Sequence, residues 1–126
     1  MRRRDLAFRA SRRFAWHWQP LTIAGQSIHI AIPTDPNELL TEACKRQSAS
    51  TTGEDETTLA DPFWVQVWSS TAGLDCYLAT RQLRGVDVLE LGCGTGVAGI
   101  AAALRGANVT FTDGATEPLI LLRLTL

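Results

Sequence analysis

Apolar residues alternate with polar ones through Leu21 and Ile23 and again through Ile28, Ile30 and Ile32, on either side of Ala24-Gly25-Gln26. Two period-two runs around a turn signal predict a β-hairpin over residues 14–33. Trp16 and Trp18 stand on the opposite parity from Leu21 and Ile23, so Pro20 is expected to mark a bulge or a break in the first strand. Pro33 ends the second. The period then changes. From Asp35-Pro36 to about Arg46, Leu39, Leu40 and Ala43 form an apolar stripe at helical spacing, with Pro36 tolerated in the first turn.

Residues 47–60 (QSASTTGEDETTLA) are rich in Ser, Thr and acid and nearly devoid of bulky apolar groups, which predicts an acidic surface loop ended by Asp61-Pro62. PFWVQVW follows, too short for a helix and suited to a half-buried extended segment. Ser69, Ser70 and Thr71 offer N-caps to a helix in which Leu74, Tyr77 and Leu78 recur at i, i+3 and i+4. Val86 to Leu91 (VDVLEL) predicts a buried strand and Gly92 to Gly96 a tight turn. Val97, Ile100, Ala101 and Leu104 then mark one face of a helix closed by Gly106, and Val109 to Thr112 a second strand ending at Asp113. Strand, glycine turn, helix and strand over residues 86–113 make a βαβ unit, whose two strands should be parallel neighbours.

The last segment, ATEPLILLRLTL, starts as a helix with Thr116 as N-cap and Pro118 in its first turn, and it carries five leucines and an isoleucine. With no closing glycine and no following strand, its apolar surface is expected to lie exposed and to offer a route to self-association. A parallel sheet is covered on both faces and normally has more strands than one βαβ unit supplies. The chain therefore reads as the N-terminal portion of a larger α/β domain.

Composition adjusts this picture in three places. The chain has 126 residues, 45% of them hydrophobic, which suits one modest domain, and its longest apolar runs fall short of a membrane span. Lys and Arg number 12 against 13 Asp and Glu, a net charge near −1 that gives no overall pull toward nucleic acid or acidic lipid. The charge is uneven, however. Arg2, Arg3, Arg4, Arg9, Arg12 and Arg13 crowd residues 1–13 with only Asp5 opposing them, which predicts a basic, flexible arm and leaves open an organellar transit signal. Cys44, Cys76 and Cys93 are odd in number and contain no C-x-x-C pair, which argues against a disulfide framework or a zinc site and fits a reducing, cytoplasmic compartment. His17 and His29 have no metal-ligand spacing and read as strand residues of the hairpin.

The candidate chemistry lies in VDVLELGCGTGVAGIAAALRG. Backbone that turns sharply and comes close to a ligand cannot carry Cβ atoms, and N–H groups at the start of the following helix face whatever is bound. Asp113, at the end of the neighbouring strand, is placed to take both hydroxyls of a ribose. Glu90 and Asp113 would bracket a nucleoside-shaped slot. A G-x-G-x-x-G frame exists only as GTGVAG, from Gly94 to Gly99, and starts two residues beyond the strand. It keeps an NAD(P)-binding oxidoreductase as an alternative, beside a non-enzymatic interaction module.

Glu90-Leu-Gly-Cys-Gly-Thr-Gly96 resembles the glycine-rich motif of class I, seven-strand S-adenosylmethionine-dependent methyltransferases, an acidic residue followed by G-x-G-x-G. PFWVQVWSSTAGLDCYLA is similar to the segment that precedes this motif in the lysine-methyltransferase-like branch, and a leading hairpin suits that branch too. The resemblance implies an α/β fold with a Rossmann-like parallel sheet, S-adenosyl-L-methionine as cofactor and a protein lysine as acceptor. It gives Gly92, Gly94 and Gly96 as the turn that admits the cofactor, with Cys93 and Thr95 contributing backbone groups. Glu90 would hold that turn or meet the cofactor's amino group, Asp113 would bind the ribose, and Trp68 would line the pocket. The family's later elements, which recognise adenine and acceptor, have no counterpart among these residues, and no catalytic base can be named.

Overall fold

The computed structural model describes residues 3–49 and 62–126. The elements run α1 (Arg3–Ser11), β1 (Trp16–Ile23), β2 (Gln26–Pro33), α2 (Pro36–Ala49), a 3-10 turn (Pro62–Val65), α3 (Ser70–Ala79), β3 (Asp87–Glu90), α4 (Val97–Leu104), β4 (Asn108–Phe111) and α5 (Thr116–Thr125). Most of the 47–60 stretch lies outside the described residues; its first residues, 47–49, complete α2.

β1 and β2 pair antiparallel from Trp16↔Pro33 to Ile23↔Gln26. The turn is Ala24-Gly25, both with positive φ, as a two-residue turn matching the strand twist requires. Pro20 makes neither a bulge nor a break, since the register passes through it at Pro20↔His29. Among the described residues β1 has a hydrogen-bonded partner on one side only, so a residue without an N–H is tolerated there. The change of parity has a simpler cause. Ile23, Ile30 and Ile32 share a core with Val97, Ile100, Ala101 and Leu122, whereas Trp16 stands beside the second core, to which Ala31 belongs. Trp16 packs edge-on against Trp18, with ring centroids 5.3 Å apart. The hairpin thus has two apolar faces at its far end, and β2 is buried from Ile30 to Pro33.

The second face is covered by α1 and α5, and this overturns two expectations. Residues 3–11 are a helix, not a flexible arm, because Leu6 and Ala10 join Phe14, Ala31, Ile120, Leu121 and Leu124 in a second core. The same contacts bury Ile120, Leu121 and Leu124, and the first core buries Leu122, so the apolar face of α5 is not the exposed surface expected of it, although Leu126 is 68% exposed. Polar bonds fix the arrangement. Arg3 donates from Nε and Nη2 to the Leu124 carbonyl at the C-terminal end of α5, and Ala31 N–H donates to Thr125 Oγ1.

β3 and β4 are parallel, in register Asp87↔Asn108 to Glu90↔Phe111, as the βαβ pattern predicts. α4 packs on Val88, Glu90, Val109 and Phe111, and closes at Gly106 (φ +93°). β3 is less buried than its sequence predicts: Leu89 is 59% exposed and Leu91 75%. Only one face of this two-stranded sheet carries a helix among the described residues, so side chains of the other parity stay outside. PFWVQVW likewise differs from the extended segment expected, because Pro62 opens a 3-10 turn. No helix among the described residues is long and apolar enough to cross a membrane.

Candidate functional site

The turn between β3 and α4 is built from left-handed backbone. Gly92, Gly94 and Gly96 have φ of +62°, +50° and +71°, a region that L side chains enter at a cost of about 1–2 kcal/mol. Two of these glycines are also hemmed in. A Cβ on Gly96 would collide with Leu122, and one on Gly94 would press on the Trp64 carbonyl at 3.2 Å. Beside Gly92 there is open space.

That space belongs to a cleft of about 350 Å³ between the glycine turn, the 3-10 turn and the start of α3. Trp68, Glu90, Gly92, Cys93, Gly94 and Thr95 line it, so six of the eight residues singled out from the sequence meet in one place. Gly96 and Asp113 do not line it. Gly96 is packed beneath, whereas Asp113 acts one bond away, its Oδ2 accepting from Gly94 N–H at 2.8 Å and its Oδ1 from Ala115 N–H at 2.9 Å. A carboxylate offers about four acceptor positions, so both oxygens keep capacity for hydroxyl donors.

Glu90 reaches under the turn, where Oε2 accepts from Gly99 N–H at 3.0 Å. The N-cap residue Gly96 has no side chain, and Glu90 supplies from β3 the acceptor that a Ser or Asp would normally give to the first turn of a helix. Gly99 is required for this approach, because a Cβ there would strike Glu90 Oε2 and the Phe111 ring. Burial raises the Glu90 carboxyl above its usual range, opposed by the Gly99 bond. Cys93 is buried, and desolvation with the charges of Asp113 and Glu90 pushes its thiol up to about 11. It is a small packing group whose backbone N–H donates to Thr112 O, not a thiolate nucleophile.

Trp68 donates its indole N–H to Phe63 O at 3.2 Å and packs edge-on to Phe63, which folds the 3-10 turn over the cleft. Phe63, Trp64, Gln66, Ser70 and Thr71 join the wall, as do Val97 and Ala98 in the first turn of α4, where helix N–H groups lack intrahelical acceptors. An extended reading of PFWVQVW sends alternate residues to opposite sides and so hides Phe63, whose parity is opposite to that of Trp68. Asp-Pro at a helical start was the signal for the turn.

The sequence pattern of the family described as lysine methyltransferase matches residues 55–122, more than half of the chain, glycine turn and 3-10 turn included. The chain belongs to this family. It is similar to the protein N-lysine methyltransferase METTL21A of Mus musculus, 51% identical over 49 residues that make up 37% of this chain and 22% of that protein. It is 46% identical over 50 residues to EEF1A lysine methyltransferase 3 of Mus musculus, covering 38% and 22%. Over 55 residues it is 38% identical to the electron transfer flavoprotein beta subunit lysine methyltransferase of Xenopus laevis, covering 42% and 22%. The matched stretches thus span about a fifth of each of these relatives.

Proposed function

We infer that this chain carries the cofactor-binding part of an S-adenosylmethionine-dependent methyltransferase whose acceptor is a protein lysine. The observation that carries the reading is the cleft beside Gly92, where the glycine turn leaves open space and Trp68, Glu90 and the start of α4 form the walls. The donor set fits the cofactor. Gly92 and Gly94 would admit it without Cβ atoms, Trp68 would wall it, and the Asp113 carboxylate, bonded behind Gly94, has acceptor capacity for ribose hydroxyls, while Gly96 packs beneath and shapes the turn. Glu90 holds the turn through Gly99 and presents its exposed side to a cationic amino group.

S-adenosylmethionine supplies a methyl group already activated on a sulfonium. What remains for the protein is to align an amine with that methyl and keep water out. A Rossmann-like parallel sheet of the class I type is the fold that these elements would extend, and three cysteines with no C-x-x-C pair suit a reducing cytoplasm.

Calorimetric titration with S-adenosylmethionine and S-adenosylhomocysteine tests the reading. Saturable binding is expected, abolished in Gly94→Val and weakened in Asp113→Ala. A folded chain that gives no heat with either compound, or that binds reduced nicotinamide cofactor instead, would overturn it.

A further inference from the structure

A second cleft opens on the other side of the 3-10 turn. It measures about 530 Å³ and lies between the open end of the hairpin, the start of α2 and residues 63–67. Ile32, Val65 and Val67 give it an apolar floor, Leu40 an apolar wall, and His17 and Asn37 a polar rim. Phe63 and Gln66 line both this groove and the cofactor cleft, so the two spaces adjoin across one turn of chain. Another cleft, about 790 Å³ around Arg3, Trp18 and His29, shares no residue with either.

We propose that this groove seats the stretch of protein substrate next to the target lysine, taking an apolar side chain onto Ile32, Leu40 and Val67 while the lysine passes Gln66 into the cofactor cleft. The proposal rests on the methyltransferase reading, because it is that chemistry which demands a lysine in the cofactor cleft. Two observations choose the occupant. A chain whose lysine enters the cofactor cleft must rest on a surface beside it, and the groove adjoins that cleft across the 3-10 turn, with Phe63 and Gln66 lining both. Charge agrees: among the described residues neither space is lined by Lys or Arg, and Glu90 is the one acidic side chain in the walls, whereas the cleft around Trp18 carries Arg3. An apolar floor with a polar rim is also how extended peptides are held, with side-chain pockets for selectivity and polar groups for the backbone.

Short synthetic peptides with one central lysine and a photoreactive benzophenone group provide the probe, in one series with leucine flanking the lysine and in another with serine. Adducts are mapped by mass spectrometry on the intact chain. Labelling is expected on residues 32–40 and 63–67, stronger with the leucine series. It should fall by about tenfold in Leu40→Arg, as when a packed interface residue is lost, and be kept in Leu40→Met. Leu40 is 41% exposed, so both variants should fold, and S-adenosylmethionine titration should be unchanged in each. Equal labelling by the two series, or adducts centred on Arg3 and Trp18, would overturn the groove. Groove labelling in a chain that binds no S-adenosylmethionine would overturn the cofactor reading and leave the peptide site standing.

Discussion

Glu90 is asked to do two things that oppose each other. As the cap of α4 it is wanted as a carboxylate, because an anion bonded to Gly99 N–H at a helix N-terminus is favoured. As a half-buried group on β3 it is disfavoured in that form, and burial is the larger effect, so its pKa is raised. The consequence for stability has a definite sign. Between the ordinary glutamate range and the raised value the folded chain holds a proton that the unfolded chain has released, so this group's contribution to stability declines as pH rises through that window. Glu90→Gln removes the titration and keeps an acceptor for Gly99. The variant should therefore gain on the parent as pH rises from the ordinary glutamate range to neutrality, in paired denaturant titrations. A stability difference that stays flat across that range would refute the assignment. Cofactor binding should weaken in the same variant, because a neutral amide offers less to a cationic amino group.

At the scale of elements, one polar cluster ties the hairpin to the cofactor-binding half. Asp75 on α3 accepts Ala24 N–H at the hairpin turn through both oxygens, at 3.2 and 3.3 Å, and pairs with Arg105 at 2.7 Å. Arg105 also donates to Asp75 O and to Ala101 O of α4. Both side chains are about one-fifth exposed, so Arg105→Met should cost about 1–3 kcal/mol by leaving a largely buried carboxylate with fewer partners. Chemical unfolding of Arg105→Met, Asp75→Asn and the double variant measures it. A loss under about 0.5 kcal/mol would mean that the pair is screened and idle. Nothing in the local pattern announces this pair, since its members lie 30 positions apart. What was legible in the sequence was local: period-two alternation for the hairpin, glycine spacing for the turn, helical spacing for α4. The 3-10 turn was missed because PFWVQVW has strand-like composition, and Pro20 was misjudged because one strand with two apolar faces looks, in one dimension, like a broken strand. Among site residues, those adjacent in sequence to the glycines were visible, whereas Phe63 and Gln66 reach the cleft only through tertiary folding.

At the scale of the whole molecule, the first helix and the last depend on each other. α1 carries three of the chain's arginines, with Arg12 and Arg13 just beyond its end, yet buries Leu6 and Ala10 on α5, while Arg3 caps α5 and Arg13 pairs with Glu117 at 3.1 Å. A basic composition is compatible with a packed helix because burial rests on two small contacts, Leu6 and Ala10, while the arginines find partners of their own, Arg3 at the Leu124 carbonyl and Arg12, just past the helix, over the Phe8 ring. If α1 were a solvated arm, removing residues 1–13 would change nothing. Packed as it is, its loss should uncover Ile120, Leu121 and Leu124, so the shortened chain should melt well below the parent and associate as its concentration rises. Leu6→Ala, which keeps every arginine, should cost about 2–4 kcal/mol as a core truncation. Arg4→Gln, at an exposed position of the same helix, should leave stability within about 0.5 kcal/mol. Thermal unfolding and sedimentation of the three chains decide between charge and packing: a shortened chain that stays monomeric with an unchanged melting temperature would show that α5 needs no cover.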